Sequence, residues 1–305
     1  MNKIAIVILD FNGEKDTLDC LGSIENLKKE DNELFVVVVD NASKEKFSIG
    51  SFQFTKGKLK IIRSEISLGF SGGNNIGIKH ALKEGATHIV ILNNDTTVSK
   101  NFIDELLKTI DSSDNIGIVS PKIYFSKGFE YHKSRYKKED LGKVIWYAGG
   151  IMDWSNLIGH HKGVDEVDHD QFEKIEETEF ASGCCMMIKR DVLEKVGLFN
   201  EKYFLYYEDN DLCQRVKKIG YKIVFAPKSV IWHKNAGSSG GSGSSLQDYY
   251  ITRNRLVFGF KYAPTRTKFS LIKESVNFFL NGRKWQKKGV MDFYLRRFGK
   301  GSYSL

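Results

Sequence analysis

The segments that would quickly assign this chain to a class are missing. No apolar run approaches the ~20 residues that a membrane-spanning helix needs. Met1-Asn2-Lys3 leads into an apolar run, Ile4 to Leu9, that is too short for a signal-peptide core and lacks a small-residue cleavage site. A cytoplasmic protein is expected. Cys20, Cys184, Cys185 and Cys213 form no CxxC pair, so they read as ordinary reduced residues and not as a metal site or disulfide frame. The first apolar run is followed by Asp10-Phe11-Asn12-Gly13, not by GxGxxG, and a Walker lysine motif is absent. No internal repeat is visible.

Charge is uneven. The net charge is +8, but residues 261–305 alone hold eleven Lys/Arg against two Asp/Glu, a net of +9. The preceding 260 residues therefore carry a net of −1. A nearly neutral body with a basic tail argues against a nucleic-acid-binding fold and for a tail that meets an anionic surface.

What is present is an alternation of strands and helices. Ile4–Leu9, Leu34–Val39, Leu59–Arg63, Thr87–Leu92 and Ile116–Ser120 read as strands, most of them apolar enough to be buried on both faces. Helices are expected over Lys15–Leu27, Asn74–Glu84 and Phe102–Ile110. The pattern predicts an α/β fold with a mostly parallel central sheet and helices on both faces. It weakens over Phe125–Glu179, where His132, His160, His161 and His169 are spaced irregularly and read as surface residues. Phe180–Ile188 is a further strand, Glu208–Ile219 a helix, and Lys222–Ala226 and Ser229–Trp232 short strands ending at His233. Gly237–Ser245 is a Gly/Ser tract, mobile by composition. Helical segments are expected over Leu246–Tyr262 and Thr265–Lys300. The division is thus a catalytic domain over 1–245 and a basic, aromatic helical extension over 246–305.

Several strands stop at polar groups: Asp10, Asp40-Asn41 and Asn93-Asn94-Asp95. These belong at the carboxyl edge of the sheet, where open α/β folds bind ligands. Asp95 in such a setting suits a hard divalent cation held against a phosphate, although an Asx-type turn explains the tripeptide equally simply. Gly69-Phe70-Ser71-Gly72-Gly73-Asn74-Asn75 opens a helix and offers backbone N–H groups to a phosphate or sugar, or is an ordinary glycine turn. Tyr206-Tyr207-Glu208-Asp209-Asn210-Asp211 packs three acids into a helix start. Acids favour that position by about 0.3–1 kcal/mol each. Three behind four aromatics exceed what capping needs, and crowding raises the proton affinity of at least one, as a general base requires. Arg253-Asn254-Arg255 supplies cations able to close over a diphosphate, or a solvated helix face.

In this order and spacing the segments resemble family 2 glycosyltransferases with the nucleotide-sugar-binding GT-A fold, in the rhamnosyltransferase-like branch of bacteria and archaea. The resemblance rests on Ile8-Leu9-Asp10-Phe11-Asn12-Gly13, Val39-Asp40-Asn41-Ala42-Ser43, Leu68 to Asn75, Leu92-Asn93-Asn94-Asp95, Phe204 to Cys213 and Trp232-His233-Lys234. It implies an inverting transfer of rhamnose or a related hexose from a dTDP- or UDP-linked donor. The acceptor would be a saccharide or lipid-linked saccharide of a cell-surface polysaccharide. Phe11 would stack on the pyrimidine and Asp40 hydrogen-bond it. Asn74, Asn93, Asn94 and Arg253 would hold the rest of the donor. Asp95 and His233 would bind Mg2+ or Mn2+. Asp209 would be the base, with Glu208 and Asp211 supporting it or binding the acceptor. Asn93 and Asn94 depart from the acids common at these positions, which leaves one fewer carboxylate for the metal, and Asp10 has no assigned role. The 237–245 loop would close over both substrates.

The tail sets Phe269, Phe278, Phe279, Trp285, Phe293, Tyr294 and Phe298 among Lys and Arg. Such a segment either lies on an anionic membrane, placing the enzyme on the inner face, or packs on the catalytic domain or on a second subunit of a homo-oligomer. Rival functions are a non-catalytic carbohydrate-binding scaffold of the same fold and a sugar nucleotidyltransferase. The latter wants a glycine-rich basic loop after the first strand, which Asp10–Gly13 does not offer.

Overall fold

The structure is a computed structural model that describes residues 2–28, 32–235 and 243–304. The chain opens β1 (Lys3–Asp10), α1 (Glu14–Glu25), β2 (Glu33–Asn41), β3 (Lys58–Ser64), α2 (Gly69–Lys83) and β4 (His88–Asn93). These four strands form a parallel block in the order β3-β2-β1-β4. The Val/Ile-rich centres of β1, β2 and β4 are fully buried because helices cover both faces, whereas β3, at the sheet edge, is only half-buried. Alternation along β1 assigns the faces: Val7 and Leu9 meet α2, while Asp10 meets Thr17 of α1.

The sheet then changes direction. β5 (Thr96–Val98), α3 (Phe102–Ile110) and β6 (Ile116–Phe125) are followed by the short strands β7 (Ile145–Tyr147), β8 (Gly150–Asp153), β9 (Ile158–His161) and β10 (Glu176–Glu177). β11 (Cys185–Lys189) runs antiparallel between β4 and β6. Residues 180–184, expected as strand, precede it as loop. After α4 (Arg190–Val196) and α5 (Glu208–Lys218), β12 (Lys222–His233) pairs parallel with β6. It is one long strand with a register shift between Ala226 and Val230, where the sequence suggests two.

Helix α2 begins at Gly69, earlier than expected, and takes in the glycine segment. Gly73 and Gly77 let the helix lie directly on the sheet. A Cβ on either would sit 2.3 Å from Leu9 Cδ1 or Val7 Cγ1, respectively. Close packing, not a loop around a ligand, accounts for these two glycines.

The tail is three helices: α6 (Ser245–Tyr262), α7 (Thr265–Asn281) and α8 (Lys284–Tyr294), so the expected single helix over 265–300 breaks near Gly282. Leu256, Phe258, Leu271 and Val290 share a core with Met152, Leu157 and Tyr203. Arg253 and Asn254 are wholly buried. Asn254 Nδ2 reaches the carbonyls of Tyr203, Leu205 and Tyr206 at 2.8, 2.7 and 3.0 Å. Arg253 donates to the carbonyls of Tyr203 at 2.9 Å and Gly299 at 2.7 Å. The gripped turn holds Phe204, Tyr206 and Tyr207 at φ of 67°, 69° and 73°. Bulky residues rarely adopt this region, at a cost of about 1–3 kcal/mol each. The pair therefore holds a turn that would otherwise relax.

Two substitutions test this packing. Gly77→Ala is expected to lower stability by about 1–3 kcal/mol through overpacking against the buried Val7. It would appear as a lower urea midpoint at unchanged slope; a wild-type midpoint overturns the packing role. Asn254→Ala strands buried carbonyls and should cost about 1–3 kcal/mol or more. Faster amide exchange over 203–207 is expected with it, and wild-type protection there refutes the clamp.

Candidate active site

The ends of β1, β2 and β4 are tied together by buried polar groups. Asp10 is 1% exposed and accepts from Thr17 Oγ1 at 2.7 Å and Ser43 Oγ at 2.9 Å, with Asn94 Nδ2 at 3.4 Å. Burial pushes its carboxyl above the ordinary value, against these hydrogen bonds. This is the role the sequence left open. Asn94 also donates to Thr17 Oγ1 at 3.0 Å, so its amide nitrogen braces the β1–α1 loop. Asn93 is half-buried, and its backbone N–H donates to Cys184 O at 2.9 Å.

Asp40, also 1% exposed, accepts from the N–H groups of Ser43 at 2.9 Å and Phe47 at 3.1 Å and from Arg63 Nη1. Burial alone would raise its carboxyl; these donors outweigh it and hold the group below its usual value. Arg63 lies opposite Asp40 in the β2–β3 register. The sequence showed Arg63 at a strand end but not this pairing. Beside them Phe11 is 44% exposed, an aromatic plate open to solvent at the sheet edge. The loop carrying it is pinned by Asn12, whose N–H donates to Ser43 Oγ at 2.8 Å and whose Oδ1 accepts from Lys44 N–H at 2.8 Å. Asn12 has φ of 55°, which asparagine tolerates better than most residues.

The acidic helix start is brought to the same edge. Ser71 N–H donates to Phe204 O at 3.2 Å, joining α2 to the strained turn. Gly183 N–H donates to Asp209 Oδ2 at 3.0 Å, and its neighbour Cys184 is the partner of Asn93. Asp209 therefore stands one residue along from the end of β4. Burial raises its carboxyl above the ordinary value, although Gly183 and Asn210 N–H groups pull the other way. Glu208 is 5% exposed with Oε2 unpartnered, and burial, then the Asp209 charge, pushes it well up. Gly183, a residue with no motif to mark it, was missed. Any Cβ there would meet the Phe70 ring at 3.1 Å and Asp209 Oδ2 at 3.5 Å.

Two expected site residues lie elsewhere. Asp211 is fully buried and bound by Arg215 Nε, Lys261 Nζ and the Tyr262 hydroxyl at 2.8, 2.8 and 2.9 Å, so its oxygens are engaged in joining α5 to α6. Arg253 is inside the protein with its donors on backbone carbonyls, and cannot reach a diphosphate. Asn74 is 1% exposed; it donates to Phe70 O at 2.9 Å and leaves Oδ1 unpartnered.

Asp95 and His233 do meet. Asp95 Oδ1 lies 3.1 Å from His233 Nε2, and Lys234 N–H donates to Asp95 O at 2.9 Å. His233 is 4% exposed and its Nδ1 has no hydrogen-bond partner. An imidazole and a partly exposed carboxylate at one sheet edge fit the ligand chemistry of Mn2+, and the carboxylate that of Mg2+. His161, expected on the surface, is half-buried in ring contact with Trp146 at 4.3 Å, and Trp146 contacts His233 at 4.7 Å. Burial lowers His161 to about 4, so it is neutral at physiological pH. A separate cluster, Asp168, Asp170 and Glu173, is already compensated by Lys122, which bonds Asp168 and Glu173. The Gly/Ser tract lies mostly outside the described residues.

Known proteins are similar to this chain in sequence and in fold. The family model "Glycosyl transferase family 2" matches residues 5–197, and "N-terminal domain of galactosyltransferase" matches 167–234. The chain is 29% identical over 258 residues to the low-salt glycan biosynthesis hexosyltransferase Agl10 of Haloferax volcanii, covering 84% of this chain and 75% of that one. It is 25% identical over 264 residues to the dTDP-rhamnosyl transferase RfbF of Shigella flexneri, covering 84% and 79%. It is 36% identical over 165 residues to the N-acetylglucosaminyl-diphospho-decaprenol L-rhamnosyltransferase of Mycobacterium tuberculosis, covering 52% and 50%. The mannosyltransferase PcManGT of Pyrobaculum calidifontis, solved with GDP-Man and Mn2+, superposes with a TM-score of 0.57 at 14% identity, covering 99% and 76%. With the GT-A fold and a family match over well more than half its length, this chain belongs to glycosyltransferase family 2, in its rhamnosyltransferase-like branch.

Proposed function

We propose that this protein transfers a hexosyl group, rhamnose or a close relative, from a dTDP- or UDP-linked donor to a saccharide or lipid-linked saccharide hydroxyl, with inversion. The observation that carries the reading is the Gly183–Asp209 hydrogen bond, which sets a carboxylate of raised proton affinity beside the β4 end. The named activities of the relatives support the sugar and donor class: dTDP-rhamnosyl transfer in one and transfer to a diphospho-decaprenol acceptor in another.

Phe11 stacks on the pyrimidine and Asp40, kept ionised by the Ser43 and Phe47 N–H groups together with Arg63, accepts from its edge. The acceptor hydroxyl approaches Asp209, which takes its proton as the oxygen bonds to the anomeric carbon. The bond from that carbon to the diphosphate breaks on the opposite side. A divalent cation, Mg2+ or Mn2+, held by Asp95 and His233 would supply positive charge against the leaving diphosphate. Burial, then the Asp209 charge, pushes the Glu208 carboxyl well up, which favours its neutral form and lessens the negative charge beside the base. A raised Asp209 pKa makes it a stronger base at neutral pH than an ordinary carboxylate.

Three measurements test this reading. Asp209→Asn should lower kcat by roughly 10^2–10^4-fold, the usual contribution of a general base, while nucleotide binding persists. Near-wild-type transfer refutes the assignment. In the wild type, activity should rise with pH as Asp209 loses its proton, and the acid limb should lie above the ordinary ~3.9 of an aspartate because the folded-state pKa is raised. Thermal-shift titration should show stabilisation by UDP or dTDP with Mn2+, reduced by Phe11→Ala and by His233→Ala. No shift with either nucleotide sinks the donor class, whereas binding without donor turnover favours the scaffold.

A further inference from the structure

Helix α7 is apolar on two faces. Thr267, Leu271 and Ser275 are buried, Thr267 donating to Trp154 O and Leu271 sharing a core with Met152, Leu157 and Tyr203, and Phe278 is partly buried beside them. Phe269, Ile272, Val276, Phe279 and Leu280 are 63%, 39%, 52%, 49% and 61% exposed. At about 100° per residue these five fall in one stripe roughly 100° wide, turned away from the buried face. Lys268 borders one side of the stripe; Lys273 and Arg266 border the other.

We propose that this face of α7 is an interfacial site that seats the protein on an anionic lipid surface. The charge around it selects that occupant. Of the two acids in residues 261–305, Asp292 is fully buried and Glu274 is held by Arg255 at 2.7 Å; Lys261 is paired with Asp211 and Arg283 with Asp248, which leaves nine of the eleven cations without an ion pair among the described residues. A second copy seated on α7 would bring Arg266, Lys268 and Lys273 against their own counterparts. An anionic headgroup layer accepts the cations while its acyl boundary accepts the stripe. No helix among the described residues is long and apolar enough to cross a membrane, so the contact is peripheral to the bilayer. The structure also narrows the tail aromatics: Phe269, Phe279 and Tyr294 are exposed, while Phe278, Trp285 and Phe293 pack in the tail's own clusters and Phe298 lies under Lys202. The purpose of such a contact, access to a lipid-linked acceptor, rests on the proposed function; the contact itself rests only on this face.

Sedimentation of the full chain with phosphatidylcholine vesicles, with and without phosphatidylglycerol, tests it. The wild type should pellet with the anionic vesicles and release as salt is raised. Phe269→Ser/Phe279→Ser and Lys268→Gln/Lys273→Gln should each weaken binding roughly tenfold or more. Because these side chains face solvent, both variants should keep the wild-type melting temperature and the UDP- or dTDP-induced shift. A wild type that stays in the supernatant, or variants that pellet like it, overturns the proposal. So does light scattering that shows a dimer split by the Phe variant. Vesicle binding without any nucleotide shift leaves this face standing and counts against the transferase reading alone.

Discussion

The Asp10 carboxylate receives Thr17 from α1, Ser43 from the loop after β2 and Asn94 from the end of β4. Parallel strands share no hairpins, so their ends are held in register only by what crosses between them. Asp10 makes that crossing at the edge where ligands meet an open α/β sheet. Its oxygens fix the loop bearing Phe11, the turn bearing Asp40 and the approach to Asp95 in one stroke. Because it is buried, the carboxylate is held at an energetic disadvantage that these donors offset only in part. The geometry of the donor site is thus a consequence of satisfying one awkward group.

The apolar strands are legible in the sequence because β1, β2 and β4 are buried on both faces and read as unbroken Val/Ile runs. The polar residues that end them follow directly. Less legible are roles that depend on partners far along the chain. Asp211 and Asp209 look alike in sequence, two residues apart on one helix. At 3.6 residues per turn they point about 200° apart around α5, and the cations Arg215 and Lys261 claim only the first. Arg253 reads as an exposed cation because nothing local reveals that the carbonyls of two segments, 202–203 and 297–299, close around it. The start of α2 is misread because glycine argues against helix by propensity, while here the demand for close approach to Val7 and Leu9 outweighs it. Asp95 and His233 were legible as a pair only through resemblance, since more than a hundred residues separate them.

Functional and structural demands are divided between adjacent acids. Asp209 stays partly exposed and is oriented by a backbone N–H, which cannot rotate away as a side-chain donor can. Glu208 faces inward, and Asp211 anchors the helix below. The strained turn ahead of them sets the helix start where the sheet edge needs it. Strain of this kind persists only when the surroundings over-determine it, and Arg253 with Asn254 supplies that surplus.

That clamp bears on how such a protein can diversify. A tail that merely followed the catalytic domain could be exchanged between relatives as a cassette, altering where the enzyme resides without altering what it does. Here the residues that grip the turn ahead of Asp209, the proposed base, lie on α6, upstream of the exposed stripe of α7 in the same helical unit. On the proposed roles of Asp209 and α7, replacing that unit wholesale would move the address and disturb the chemistry together. Change of destination would then proceed by substitutions on the outer face of α7, while the inner face of α6 stays under the constraint of the turn it holds.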